Sequence, residues 1–378
     1  MSAWPGKYVI GLTGNIATGK SVIRKMLEHL GAYGIDADAL GHRAIAQGAP
    51  GYQPVVDTFG KWILGADGQI ERAKLARIVF SDPGALERLE AIVHPLVEQA
   101  VDILVRRSRH KVIVVEAIKL LESGLRSKCD TLWVSYAPQE VQLARLMQKR
   151  GLALAAARQR ISAQPEQEEK IGAADLVIRN DGSFEETWRQ VVAAWQSGVP
   201  AAAASEPIPV TKTTRGELAV QRARPTQADE IAALITRLSD GERQLSREDI
   251  MAAFGEKAFL ILKTGQKSIG VVGWKVENLV ARTDEIYLER GLAFENAMDA
   301  LMSEVERASR ELQCEISLLF LPADFAHHNS SLHSLGYQSR TIESLGVRAW
   351  QEAALESMPT GSLMLFKQLR QDRVLRPV

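Results

Sequence analysis

Cysteine is nearly absent: Cys129 and Cys314 are the only two in 378 residues. They lie far apart without metal-type spacing, so we expect two free thiols in a reducing compartment rather than a disulfide scaffold. An excess charge of one sign is missing too. Lys and Arg together number 46, as do Asp and Glu, for a formal net charge of zero. That removes the overall basic excess that points to nucleic acid. No apolar run approaches the ~18 residues of a membrane span. The opening Met1-Ser2-Ala3-Trp4-Pro5 runs straight into a strand-like segment and leaves no room for a signal peptide. These absences predict a cytoplasmic protein with no nucleic-acid and no membrane partner. Seven histidines include the pair His327-His328, but no carboxylate or cysteine stands at ligand spacing, so no metal site of protein ligands alone is expected.

What is present is the pattern Gly14-Asn15-Ile16-Ala17-Thr18-Gly19-Lys20-Ser21, a full match to G-x-x-x-x-G-K-[ST]. The apolar run Tyr8-Val9-Ile10-Gly11-Leu12 precedes it, and Val22 to Leu30 reads as a helix. Strand, glycine-rich turn and helix together form the context of a phosphate-binding loop, where backbone N–H groups and a helix N-terminus converge on phosphate oxygens. Lys20 reaches the β- and γ-phosphates of ATP in such a loop, and the Ser21 hydroxyl holds Mg²⁺. The bland alternative is a glycine-rich turn with an incidental lysine, which the agreement of all fixed positions and both flanks disfavours.

With 46% hydrophobic residues the chain has the material for two cores. Residues 197–209, rich in Ala, Pro and Ser, have no amphipathic period and read as a linker. The expected division is a domain over 1–198, a linker over 199–214 and a second domain over 215–378. Before the linker, apolar strands such as Val112–Val115 and Thr131–Ser135 alternate with helices (Gln139–Arg150, Phe184–Trp195), as in a parallel sheet with crossover helices. After it, strand-like Phe259–Leu262 and Ile269–Trp274 flank the turn Thr264-Gly265-Gln266. A helix over about Phe294–Leu312 precedes a strand over Ile316–Leu321.

A phosphate loop alone does not separate a kinase from an ATPase or a switch protein, although a guanine-reading Asn-Lys-x-Asp is missing. Ile35-Asp36-Ala37-Asp38 stands at the end of a probable second strand, on the same sheet edge as the loop. An aspartate there orients and deprotonates an attacking hydroxyl; the alternative is that Asp36 and Asp38 merely cap a helix over Ala39–Ala46.

From about Tyr8 to Trp195 the chain resembles dephospho-CoA kinase. The resemblance rests on Gly11-Leu12-Thr13-Gly14, Asp36-Ala37-Asp38, Gly48-Ala49-Pro50-Gly51, Asp67-Gly68, Val79-Phe80 and His94-Pro95-Leu96. Arg150, Arg160–Gln164, Glu168-Glu169-Lys170, Ala174-Asp175 and Ile178–Gly182 continue it in the family's order. It implies a P-loop kinase-like α/β fold with a helical lid, and transfer of the ATP γ-phosphate to the 3′-hydroxyl of dephospho-CoA. By resemblance Asp38 is the base, with Lys20 and Arg150 completing the catalytic set. The nucleotide would meet Gly14 to Val22 together with Arg145 and, near the adenine, Asn180. The acceptor would meet Asp38, His94, Glu116 and Arg160, with Gln164 fixing the lid. Two departures stand out. Gly41-His42-Arg43 puts histidine where the family has arginine, and Glu116-Ala117-Ile118-Lys119-Leu120 replaces the Pro-Leu of its acidic-x-Pro-Leu-Leu segment. A kinase for another small hydroxyl substrate, and a regulatory protein that binds CoA without turnover, therefore remain open.

From Leu218 onward the element order resembles a GNAT-type acyltransferase, a second α/β fold. Arg224–Asp229 stands at its first strand-to-helix turn, Asp284–Leu288 in its central strand, and Glu289–Ala293 leads into the long helix. Asn329, Leu335-Gly336-Tyr337 and the strand Leu363–Lys367 close the segment. The family's pyrophosphate loop wants Gln or Arg where Leu288 stands, so a degenerate module that holds CoA or an acyl-CoA is expected, with an active acyltransferase as the alternative. Glu285, Glu289, Glu295 and Tyr337 are its conceivable acid/base groups.

Overall fold

The computed structural model describes residues 3–203, 218–322, 329–371 and 374–375. Most of the expected linker, and His327-His328, lie outside the described residues. The chain opens with β1 (Tyr8–Thr13), α1 (Lys20–His29), β2 (Tyr33–Asp36) and α2 (Ala37–Ala44). Next come α3 (Tyr52–Phe59), α4 (Arg72–Ser81), α5 (Pro83–Arg107), β3 (Val112–Glu116) and β4 (Thr131–Tyr136). Then follow α6 (Gln139–Arg150), α7 (Leu154–Ser162), α8 (Gln167–Ala173), β5 (Leu176–Arg179) and α9 (Phe184–Gly198). The second half begins with β6 (Leu218–Arg222), α10 (Ala228–Leu238), α11 (Arg247–Ala253), β7 (Ala258–Thr264), β8 (Lys267–Glu277) and β9 (Val280–Leu288). It ends with α12 (Phe294–Glu311), β10 (Ile316–Pro322), α13 (Asn329–Ser334), β11 (Gln338–Ser339), α14 (Arg348–Ser357) and β12 (Ser362–Gln368). Two units divide these elements, one built on Met1–Lys20 and Tyr33–Asp181, the other on Ser21–Ala32 and Gly182–Gln371.

In the first unit five strands form a sheet in the order β2-β3-β1-β4-β5, every pair parallel. Val9, Ile10 and Leu12 of β1 and Val112–Val115 of β3 are fully buried, as continuous apolar runs must be in a strand covered on both faces. Parallel pairing sends every strand's carboxyl end to one edge. Leu12 and Asp36 both register with Glu116, so the chain leaves β1, β2 and β3 side by side. The sheet therefore assembles the site from segments about eighty residues apart in sequence, by the rule that open α/β sheets bind ligands at that edge.

Two local outcomes differ from expectation. Helix α2 starts at Ala37 rather than Ala39, because Asp36 is its N-cap and accepts from the Ala39 N–H at 2.8 Å. Helix α5 runs 25 residues straight through Pro95. An interior proline costs about 3 kcal/mol. Burial of Val97, Val101, Leu104 and Val105, each contributing on the order of 2 kcal/mol, outweighs it.

The second unit holds a seven-stranded mixed sheet in the order β11-β12-β10-β9-β8-β7-β6. Only β9 and β10 run parallel, joined through α12, whose Met298, Leu301, Met302 and Val305 pack with Trp274, Leu319 and Leu365. A parallel sheet followed by a mixed α/β sheet is the fold class read from the sequence. Cys129 and Cys314 are free thiols, and burial pushes the Cys129 thiol up to about 12, which leaves it inert. Among the described residues no helix is long and apolar enough to cross a membrane.

Candidate functional site

The loop Gly14–Ser21 leaves β1 and enters α1 at Lys20. Its shape is fixed from within by Thr18, whose hydroxyl donates to the Asn15 carbonyl at 2.8 Å and lies 2.6 Å from the Ser135 hydroxyl. Gly19 has φ +92°, and a Cβ there would stand 1.8 Å from Asn180 Nδ2. Lys20 is buried, its ammonium donating to the carbonyls of Gly14 (3.0 Å) and Asn15 (3.2 Å) across the mouth of the loop. Ser21 is exposed in the first turn of α1, and Val22 beside it is half-buried.

Three other segments grip the loop. From α6, Arg145 donates to the carbonyls of Ala17 (3.2 Å) and Asn180 (2.8 Å). Asn180, just past β5, donates its amide to the Thr18 carbonyl at 2.9 Å. After α7, Gln164 Oε1 accepts from the Ile16 N–H at 2.7 Å, and Asn15 Nδ2 donates to the Pro165 carbonyl at 2.7 Å. The segment following the lid helix is thus latched onto the phosphate loop itself. Arg160 stands exposed on α7, and Arg150 ends α6 with its side chain outside the described residues.

Asp36 and Asp38, alike in sequence, do different work. Asp36 caps α2. Asp38 turns away from the helix, and its carboxylate accepts from the Ile118 N–H at 3.0 Å (Oδ2) and 3.3 Å (Oδ1). Burial raises its pKa above the usual carboxylate range, reinforced by Glu116 and opposed by Lys20, the Ile118 N–H and Lys170. A partly buried carboxylate shifted this way is a better base than a surface aspartate. Glu116, at the end of β3, is 4% exposed. His94 is half-buried on α5, next to Val93, which faces Gly41 of α2. His42 and Arg43 fall in the last turn of α2, and Lys119 is ion-paired to Glu90.

Sequence reasoning quoted Thr13, Ile118 and Lys170 without assigning them contacts in the site, and passed over Pro165. The Ile118 carbonyl accepts from Lys170 Nζ at 2.8 Å and from the Thr13 hydroxyl at 3.1 Å. Lys170 is 3% exposed, which Glu168-Glu169-Lys170 on a short polar helix does not announce. The Ser21 hydroxyl, next to Lys20 at the start of α1, is a hard oxygen of the kind Mg²⁺ takes beside phosphate and water.

In the second unit β9 pairs with β10 only as far as Thr283↔Leu319, so Glu285–Leu288 pair with β8 alone and Asp284 falls at the register shift between Gly273 and Trp274. Ala293 provides no side-chain cap for α12. Every acid/base group read from the sequence is engaged. Glu285 meets Lys257 at 3.2 Å and Arg243 at 3.7 Å, and Glu289 meets Lys267 at 2.6 Å. Glu295 accepts from the Ser331 hydroxyl at 2.6 Å, and the buried Tyr337 hydroxyl lies 3.0 Å from that of Ser317. The Asn329 side chain lies outside the described residues.

A profile of the dephospho-CoA kinase family matches residues 8–186. The dephospho-CoA kinase of Geobacter metallireducens is 45% identical over 194 residues, 50% of this chain and 96% of that protein. The solved dephospho-CoA kinase from Campylobacter jejuni is 30% identical, covering 50% of this chain and 96% of its own at a TM-score of 0.38. PaiA N-acetyltransferase from Thermoplasma acidophilum, solved in complex with coenzyme A, is 10% identical and covers 40% of this chain and 98% of its own at a TM-score of 0.31.

Proposed function

The chain belongs to the dephospho-CoA kinase family, and from that premise we propose that it transfers the ATP γ-phosphoryl group to the 3′-hydroxyl of dephospho-CoA, completing coenzyme A. The observation that carries this reading is Asp38: a half-buried carboxylate at the edge of the phosphate-loop sheet, held by a peptide N–H instead of capping its helix. In the transfer Asp38 takes the hydroxyl proton while the oxygen attacks the γ-phosphorus and the bond to ADP breaks. Lys20 leaves the Gly14 and Asn15 carbonyls for the phosphates, so the charge that develops there meets a cation already in place. Arg145 and Asn180 hold the loop at Ala17 and Thr18. Arg160 adds a cation from the lid side, His94 and Glu116 line the acceptor side, and Arg150 keeps the catalytic role that the resemblance implies. Mg²⁺, held by the Ser21 hydroxyl, would neutralise phosphate charge. Closure of the α7 segment over this edge excludes water that would otherwise hydrolyse ATP.

We assign this chemistry to residues 1–198, joined by 199–214 to a module over 215–378 that holds CoA or an acyl-CoA without catalysing acyl transfer. The N-terminus of α12, where Ala293 provides no side-chain cap, would meet a pyrophosphate with backbone N–H groups beside β9 and β10. Leu288 in place of a polar residue, and the engagement of Glu285, Glu289, Glu295 and Tyr337, leave no free base among the candidates. A cytoplasmic setting suits both activities.

The test is ATP consumption by the full chain with dephospho-CoA, adenosine, shikimate or pantothenate as acceptor. Turnover is expected with dephospho-CoA alone, and acetyl-CoA should release no thiol. Faster ATP loss with another acceptor would transfer the assignment to that substrate, by way of the departures at His42 and Ile118-Lys119.

A further inference from the structure

Residue 118 is where this chain leaves its family's pattern, with isoleucine in place of proline. Proline has no N–H. Isoleucine therefore supplies a backbone donor that proline could not, and it reaches Asp38 at 3.0 Å from Oδ2. The other end of the same residue is held as firmly. Its carbonyl accepts from Lys170 Nζ at 2.8 Å and from the Thr13 hydroxyl at 3.1 Å, one from α8 and one from the end of β1. The N–H lies in the 117–118 peptide and the carbonyl in the 118–119 peptide, so residue 118 is held on both sides of its α-carbon, and its φ and ψ couple the two anchors.

We propose that Lys170 is a positioning residue for the transfer: through the Ile118 backbone it holds the Asp38 carboxylate against the acceptor hydroxyl. The inference rests on the reading of Asp38 as the base. Burying an ammonium is costly unless it is paired and hydrogen-bonded. The charges that face Lys170 are Glu122, Asp38 and Glu169, which favour its cation, and Lys20, which opposes it. Those that face Asp38 are Lys20, Lys170 and Glu116. Lys170 also lies on the helix that directly follows Gln164 and Pro165, the two residues latched to Ile16 and Asn15. One segment thereby anchors both the loop that holds the phosphates and the residue whose N–H meets the base.

The experiment compares full-length Lys170→Met, Lys170→Arg, Ile118→Pro and the double variant Ile118→Pro/Lys170→Met by kcat, KM, ATP affinity and the pH profile of kcat. Lys170→Met is expected to lower kcat about tenfold to a hundredfold, the worth of a hydrogen bond to a charged group. ATP affinity should stay within about twofold, because Lys170 is asked to act on the base and not on the loop. With a cation gone from beside Asp38, its carboxylate takes up a proton more readily, so the acid limb of kcat moves to higher pH. Ile118→Pro should move that limb the same way, Lys170→Arg should restore most of kcat, and the double variant should cost no more than the worse single one.

Unchanged kcat and acid limb in both single variants would overturn the inference, as would additive losses in the double. A loss confined to thermal stability, with the limb unmoved, makes Lys170 structural only and overturns it too. Should Lys170→Met not fold, Ile118→Pro and Lys170→Arg decide alone. Asp38→Asn separates the layers: full turnover there removes the base reading itself, whereas an inactive Asp38→Asn beside neutral brace variants removes only this inference.

Discussion

Asp38→Asn is expected to lower kcat by about three orders of magnitude while ATP binds as it does to the parent chain. The amide is the same size, and its oxygen still accepts from the Ile118 N–H, so the local structure has no reason to change. What disappears is the carboxylate that receives the hydroxyl proton. The loop that holds ATP is formed by other residues, chiefly Lys20, Asn180 and Arg145. The two readouts should therefore separate: turnover collapses and the dissociation constant for ATP stays within about threefold. The parent enzyme adds a pH signature. Burial raises the Asp38 pKa, so the active carboxylate is present above that value and is lost as pH falls through it. The acid limb of kcat should accordingly lie above the range of an exposed aspartate and be absent from the residual activity of the variant. Equal loss of ATP binding and turnover would make Asp38 a structural residue of the nucleotide site.

Gly19→Ala should have the larger effect on binding. The added methyl would stand 1.8 Å from Asn180 Nδ2, at a backbone φ of +92° that alanine adopts only under strain. That strain is on the order of 1–3 kcal/mol before the collision is counted. Relief requires Asn180 to move, which breaks its bond to the Thr18 carbonyl and disturbs the Asn180 carbonyl that anchors Arg145. Two contacts that shape the loop fail together, so ATP affinity should fall about a hundredfold or more, with a melting temperature lower by several degrees. Gly172→Ala is the matched control. A Cβ there meets nothing within 4 Å, and its helix should be slightly favoured. Wild-type affinity in Gly19→Ala would mean that the loop tolerates what its geometry forbids.

The phosphate loop was legible because it is local, eight consecutive residues between a strand and a helix. Asp38 was legible only as one of a pair; that Asp36 caps the helix and Asp38 faces the site depends on where α2 begins, two residues earlier than the pattern suggested. The grip of Gln164 on Ile16 was anticipated as a lid contact, but its partner atom was not, since the two are 148 residues apart. Lys170 was hidden because a lysine after two glutamates looks like a solvated helix face, and nothing local says that this face is 3% exposed. Ile118 was noticed for its departure, yet the consequence lies in its N–H, which a side-chain reading overlooks. In the second unit Glu285 and Tyr337 looked chemically competent until their partners Lys257 and Ser317 were brought beside them by the sheet.

The central claim is that the phosphoryl group leaves ATP for one hydroxyl of dephospho-CoA. Phosphorus NMR of the full chain with ATP and dephospho-CoA tests it most directly. The account predicts a new phosphomonoester signal, assigned to the ribose 3′-oxygen by its coupling to the attached proton, growing in step with ADP. Inorganic phosphate appearing with ADP and no new ester, or an ester at another position, would contradict it.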